Sequence, residues 1–241
     1  MTKLNKLSKQ FNGLKVIDDI SFDIPDGEFL AVIGPSGCGK STLLKLLLRI
    51  EDSTSGNILV DGQDIEQYDE EQLIKYRENI GMVFQSGALF DSLTVFENVA
   101  FSLREHTQLA ESQITRIVKE KLAMVELTGA EDKMPSELSG GMQKRVGIAR
   151  ALASNPAIIL YDEPTTGLDP ITSVTIEDLM VKLARDLKAT CIVVTHVMQT
   201  VSRVAKRVVM LHEGKMLEIG SPDQAKRSEN PIVKRFITGG L

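Results

Sequence analysis

Gly34-Pro35-Ser36-Gly37-Cys38-Gly39-Lys40-Ser41 matches the phosphate-loop pattern G-x-x-x-x-G-K-[ST], with the apolar run Glu28–Ile33 before it and a helical segment beginning near Lys40 after it. The glycines let backbone N–H groups turn inward around phosphate oxygens, and the N-terminus of the following helix adds its positive dipole end. Lys40 would neutralise charge on the β- and γ-phosphates, and Ser41 would offer its hydroxyl to Mg²⁺. All eight positions and the strand-to-helix context set the stretch apart from a glycine-rich turn with no ligand.

Outward from this loop, strand-like apolar runs alternate with helical segments, the pattern of an α/β fold with a largely parallel sheet. The candidate strands are Glu28–Ile33, Asn57–Val60, Ile80–Phe84, Ala157–Asp162, Thr190–Thr195 and Arg207–Leu211. Asp61-Gly62, just after Val60, supplies the positive φ angles of a tight hairpin turn, so an antiparallel excursion is expected there. From about Ser86 to Asn155 the strand signal fades, and Glu111–Val125 and Gly141–Ser154 read as helices with polar and apolar faces. Val146, Ile148, Ala149 and Leu152 are the expected buried side of the second. This stretch reads as a helical subdomain inserted into the α/β core, giving approximate subdomains of 1–85 with 156–241 and of 86–155. Neither an internal repeat nor a long heptad-patterned insertion interrupts it.

The 241 residues, 42% hydrophobic and 25% charged, exclude a disordered chain, a collagen-like repeat and a disulfide-stapled miniprotein. With 28 Lys+Arg against 33 Asp+Glu the net charge is 28 − 33 = −5, which gives no net pull toward nucleic acid or anionic lipid. Every apolar run is far shorter than the roughly 18–20 residues a spanning helix requires. Met1 to Lys9 is polar and lysine-containing, so no secretory signal is expected. Cys38 and Cys191, far apart, fit a reducing cytosolic setting, and neither is assigned a redox role.

Two further stretches carry chemistry. Ala157–Leu160 with Tyr161 is an apolar strand ending in Asp162-Glu163, where side chains project into the ligand crevice of an open α/β sheet. Asp162 is placed to hold Mg²⁺, and Glu163 to polarise a water for attack on a γ-phosphate. Standing alone, the pair would simply open a solvated loop before Pro164. Ser139 is a good N-cap, and Gly140-Gly141 leave the first-turn N–H groups accessible, so this second helix terminus suits an anion or is a plain helix start.

These motifs occur in one order: the phosphate loop, Gln85 after the strand Ile80–Phe84, Leu138-Ser139-Gly140-Gly141-Met142-Gln143, Asp162-Glu163, Gly167-Leu168-Asp169, and His196 after the strand Thr190–Thr195. The chain resembles the nucleotide-binding subunits of ATP-binding-cassette (ABC) transporters over essentially its whole length. The resemblance implies a P-loop NTPase cassette with a RecA-like core, an antiparallel β subdomain and the inserted helical subdomain, binding ATP and Mg²⁺. It implies nucleotide contacts from Gly34 to Thr42, an adenine-stacking role for Phe11, and metal contacts for Ser41, Gln85 and Asp162. Gln85 would also reach the attacking water, Glu163 would be the general base and His196 would contact the γ-phosphate. Ser139, Gly140, Gly141, Gln143 and Asp169 would act across a head-to-tail dimer. Read without the resemblance, Phe11 is an apolar core residue, Gln85 a solvated glutamine, and Asp169-Pro170 an N-cap followed by proline at N1. His106 and His212 match no motif and are expected at the surface.

The segment from Ser86-Gly87-Ala88-Leu89-Phe90 to Arg104-Glu105-His106 resembles the ATPases of MCE-type lipid transporters, as do Ser136–Met142 and Asp169-Pro170-Ile171-Thr172. That resemblance implies phospholipid transport, a multispanning permease partner, an MCE-domain lipid-binding protein, a small regulatory subunit and no nucleic acid. The chain would sit peripherally on the cytoplasmic face of the inner membrane. An ATPase for another substrate, such as amino acids or peptides, is the alternative. Leu89, Phe90, Val95, Phe96 and Phe101 would either line a groove for a permease helix or pack inside the helical subdomain.

Overall fold

The structure, a computed structural model, describes residues 1–239. In chain order its regular elements are β1 (Thr2–Phe11), β2 (Leu14–Ile24), β3 (Phe29–Ile33), α1 (Lys40–Leu47), β4 (Ser55–Val60), β5 (Gln63–Asp64), α2 (Glu70–Glu78), β6 (Ile80–Val83), α3 (Val95–His106), α4 (Glu111–Met124), α5 (Gly140–Ala151), β7 (Ile158–Asp162), α6 (Pro170–Leu187), β8 (Thr190–Val194), α7 (Met198–Val204), β9 (Arg207–His212), β10 (Lys215–Gly220), α8 (Pro222–Lys226) and α9 (Pro231–Ile237). They form two compact units, Met1–Arg77 with Thr190–Leu241, and Glu78–Ala189.

In the first unit β1 and β2 meet through Asn12-Gly13, whose φ angles of 48° and 84° are those a two-residue hairpin turn with matching twist demands. Asp61-Gly62 (φ 50° and 82°) joins β4 to β5 in the same way, as the sequence predicts. The resulting antiparallel sheet runs β2-β1-β4-β5, and Leu4, Leu7, Ile17, Ile20, Ile24 and Ile58 are buried on it. Beside these elements β3 pairs in parallel with both β8 and β9, and β10 returns antiparallel along β9. Every residue of β3 and β8 is buried, which is why both read as unbroken apolar runs rather than alternating ones.

In the second unit β6 and β7 run parallel, Ile80 opposite Ile158 and Val83 opposite Tyr161. Helix α5 lies on β6 so closely that a Cβ at Gly81 would come 2.5 Å from the Ala151 carbonyl oxygen. Its Val146, Ile148 and Ala149, with Leu152 after it, are buried as expected. Helix α3 starts in a capping box: Glu97 N–H donates to Thr94 Oγ1 at 3.2 Å, and Thr94 N–H donates to Glu97 Oε2 at 2.8 Å. One turn on, the fully buried Asn98 accepts from Phe90 N–H at 2.8 Å and donates through Nδ2 to the carbonyls of Phe90, Leu93 and Thr94. Helix α4 buries Ile114, Val118 and Leu122 together with Lys121, whose ammonium donates to Asn155 Oδ1 at 2.6 Å and pairs with Glu120. Helix α6 buries Ile176, Leu179, Met180 and Leu183, each contributing about 1.5–3 kcal/mol relative to exposure. Among the described residues no helix is long and apolar enough to cross a membrane.

Candidate functional site

Within the first unit the phosphate loop connects β3 to α1, and its glycines differ in purpose. Gly34 is buried, and a Cβ there would lie 2.3 Å from the Leu211 carbonyl oxygen and 2.7 Å from Cys38 Sγ. At Gly37 (φ 78°) a Cβ would meet nothing within 4 Å, so the requirement there is the left-handed backbone, and the turn faces open space. Lys40, the first residue of α1, is 7% exposed and donates through Nζ to the carbonyls of Gly34 at 2.8 Å and Pro35 at 3.0 Å. The ammonium is thus drawn into the loop by its own chain. Ser41 is exposed and Thr42 half-buried on the same first turn. The half-buried Cys38 thiol is pushed up by burial, opposed in part by the Lys40 charge.

A cavity of about 790 Å³ opens beside the loop, lined by Pro35, Ser36, His196, His212, Arg235 and Phe236 among others. It brings His196, exposed after β8, to the phosphate loop, and adds His212 from the end of β9. His212, expected at the surface, keeps part of its side chain exposed there but lines this cavity. It is half-buried and shares the cavity wall, because β9 runs beside β3 and ends where the loop begins. His106, by contrast, is exposed. Phe11, at the tip of the β1–β2 hairpin, is 39% exposed with the Lys9 ammonium 4.7 Å from its ring centroid. It is a presented aromatic face rather than a core residue.

Within the second unit β7 ends at the half-buried Asp162, and Glu163 follows with φ 47° and only 9% exposure. The left-handed backbone turns the chain sharply after the strand. Thr166 Oγ1 donates to Glu163 Oε2 at 3.1 Å. Gln85, two residues past β6, is exposed, and its backbone carbonyl accepts from Lys144 Nζ. The Lys144 ammonium is held below the ordinary lysine range by burial, with the Glu163 charge opposing that shift.

Ser139 caps α5, its hydroxyl accepting from Met142 N–H at 3.3 Å, and Ser139 and Gly140 are exposed at the helix start. Gln143 Nε2 donates to the Pro135 carbonyl at 2.9 Å, bracing the turn before the cap. Asp169 caps α6, accepting at 3.0 Å from both Ile171 N–H and Thr172 N–H and also from the Thr172 hydroxyl, which holds its carboxyl below the usual range. A Cβ at Gly141 would come 2.6 Å from Thr172 Cγ2, so the two capped helix starts touch through Thr172. No group of three or more His, Cys, Asp or Glu side chains among the described residues forms a metal cage. Lys144, Thr166 and His212 belong to no motif read from the sequence. Lys144 does follow the Ser139–Gln143 signature directly, the one local hint among them.

A phosphate loop joining a buried parallel strand to a helix, with a second unit bearing an acidic strand end and a serine-capped glycine helix start, defines an ATP-binding cassette. The ABC transporter family model matches residues 17–166, and the chain belongs to that family, whose cassettes bind and hydrolyse ATP. It is 45% identical, over 98% of its length and 70% of the relative's, to the methionine import ATP-binding protein MetN of Mannheimia succiniciproducens. To the intermembrane phospholipid transport system ATP-binding protein MlaF of Haemophilus influenzae it is 42% identical over 93% of its length and 85% of the relative's. The dimeric post-hydrolysis structure of the ATP-binding cassette MJ0796 bound to ADP and Pi superposes with a TM-score of 0.82 at 34% identity, covering 90% of this chain and 98% of that one. Against other curated relatives the chain spans about two thirds of their length, 66%.

Proposed function

We propose that this chain is the ATP-hydrolysing subunit of a phospholipid transporter of the MCE type, working as a head-to-tail dimer. The reading is carried by the segment Ser86–His106, which resembles the MCE-type ATPases and presents Phe90 and Phe101, 42% and 40% exposed, with ring centroids 4.7 Å apart. Val95 is buried within the unit and Leu89 and Phe96 are half-buried, so the paired phenylalanines are the apolar surface offered to a permease helix. An MCE-domain lipid-binding protein and a small regulatory subunit complete the proposed assembly, on the cytoplasmic face of the inner membrane and without nucleic acid. The 45% identity to MetN supports a second reading, an ATPase for amino-acid import.

The residues suit ATP with Mg²⁺. Gly34, Pro35, Ser36, Gly37, Cys38 and Gly39 offer backbone N–H groups, and Lys40 and Thr42 stand at the helix start, where a phosphate gains both charge and dipole. The Ser41 hydroxyl, the Gln85 amide oxygen and the Asp162 carboxylate are hard oxygen donors. A donor set with one carboxylate fits an ion completed by nucleotide phosphates and water rather than an all-protein cage. Bound Mg²⁺ supplies charge neutralisation across the β- and γ-phosphates. Phe11 stacks on the adenine, Glu163 takes the proton of the attacking water, Gln85 orients that water and His196 contacts the γ-phosphate. Ser139, Gly140, Gly141 and Gln143, with Asp169, serve the nucleotide of the second copy, so positioning and fixed dipoles supply most of the rate.

Tagging the chain in its native host and identifying what co-purifies tests the assignment. A multispanning permease with an MCE-domain protein is the expected outcome, and an amino-acid-type permease in their place would overturn the lipid reading in favour of the second.

A further inference from the structure

The backbone that follows Gln85 is gripped along one side of α5. Lys144 Nζ donates to the Gln85 carbonyl, and Arg150 donates through Nη2 to the Gly87 carbonyl at 2.8 Å and through Nη1 to the Ala88 carbonyl at 2.6 Å. Between those two cations stands Gly147, where a Cβ would press on the Gly87 carbonyl oxygen at 3.3 Å and Gly87 Cα at 3.4 Å. From the loop side, a Cβ at Gly87 would meet the Gln143 carbonyl oxygen at 3.3 Å. The glycines let loop and helix meet backbone to backbone, and the cations close the two ends of the contact. Gly87 and Ala88 both have positive φ, 76° and 46°, which turns successive carbonyls toward the helix. The Arg150 guanidinium also lies 5.9 Å from the Phe90 ring centroid. Burial lowers both cations from their ordinary values, and for Lys144 the Glu163 charge works against that shift. Lys144 is buried and Arg150 half-buried, and cations withdrawn from water and directed at backbone carbonyls are placed for geometry, since full exposure would solvate them better.

We infer that Lys144 and Arg150 are positioning residues for hydrolysis, fixing the backbone of residues 85–88 to α5 so that Gln85 moves with the Ser139–Gly141 end of that helix. One buried cation therefore relates the signature helix to the Gln85 carbonyl, and the Glu163 charge acts on that same ammonium. The inference rests on the assignment of Gln85 above, and the test separates the two.

ATP turnover and nucleotide affinity of the full chain in its purified complex are compared for Gln85→Ala, Lys144→Met, the double variant and Lys144→Arg. If Lys144 acts through Gln85, Lys144→Met lowers kcat about tenfold with KM for ATP changed by less than about twofold, as expected for loss of an orienting contact. The double variant is then within about twofold of Gln85→Ala, whereas independent contributions would place it about tenfold below Gln85→Ala. Lys144→Arg, which keeps the cation, recovers most of the turnover. Arg150→Gln, which leaves Lys144 intact, lowers kcat in the same sense and guards against a Lys144→Met chain that does not fold. Multiplicative losses, or full turnover in both Lys144→Met and Arg150→Gln while Gln85→Ala is impaired, overturn the grip alone. Undiminished turnover in Gln85→Ala overturns the assignment of Gln85 and the inference with it.

Discussion

The Thr166 hydroxyl donates to Glu163 Oε2 at 3.1 Å, three residues on and across a left-handed turn at Glu163 itself. The carboxylate assigned as base therefore has one of its oxygens held by its own loop. An amide in its place keeps the size and can still accept from Thr166, but it cannot take a proton.

Glu163→Gln should accordingly retain ATP binding and lose most hydrolysis, by about 10²–10⁴-fold, the usual contribution of a general base. ATP should then trap a dimer. Single-turnover kinetics and sedimentation in ATP measure both effects, and unchanged turnover in the purified complex would remove Glu163 from the chemistry.

Phe11 gives a prediction about base selectivity. Its ring is exposed at a hairpin tip, so Phe11→Ala should leave the melting temperature almost unchanged. Stacking is worth about 1–3 kcal/mol and tolerates any base. Affinity for ATP and for GTP should therefore weaken together, by about 5- to 150-fold on the same scale. Titration with both nucleotides checks this, and a loss confined to ATP would point to hydrogen-bond recognition elsewhere.

The two thiols should differ in reactivity. Burial pushes Cys191 up to about 12, and a thiolate is the reactive species, so at pH 8 only about one part in ten thousand is available on this buried strand. Cys38 is also raised, which reduces its thiolate at the same pH, but it is only half-buried. A small maleimide at pH 8 should modify Cys38 alone, more slowly than it modifies a free cysteine, and saturating MgATP should protect it. Mass spectrometry of the native protein locates the label. Equal labelling of Cys191 would contradict its burial.

Much of this site was legible because its parts are local. The glycines, lysine and hydroxyl of Gly34–Ser41 serve one turn, Ser139 and Asp169 cap the helices that follow them, and Asp61-Gly62 closes its hairpin without outside help. Strands β1 and β2 were not identified, since their alternation is broken by register shifts at Leu4/Leu7, Leu7/Lys9 and Lys9/Gln10 and by a left-handed Lys6. Each bulge moves later side chains to the opposite face and erases the period of two. β10 escaped notice for a different reason, as an edge strand whose residues are all exposed or half-buried.

Lys144 shows the limit for side chains. Helix α5 is covered on several sides, so its lysine is buried where a helical periodicity argument expects a charge in water. What decides its place is a carbonyl 59 residues earlier, and His212 likewise takes its meaning from a loop far upstream. Contacts of that separation are set by strand order and helix docking.

Asn98 has a mechanical consequence. Its side chain ties Phe90, Leu93 and Thr94 to α3 by four hydrogen bonds, all within one buried amide's reach. A segment so tied has little compliance of its own, because bending it breaks several bonds at once. A push applied at Phe90 is therefore delivered to α3 almost undiminished, and the stretch that carries the exposed phenylalanines behaves as a stiff strut rather than a spring.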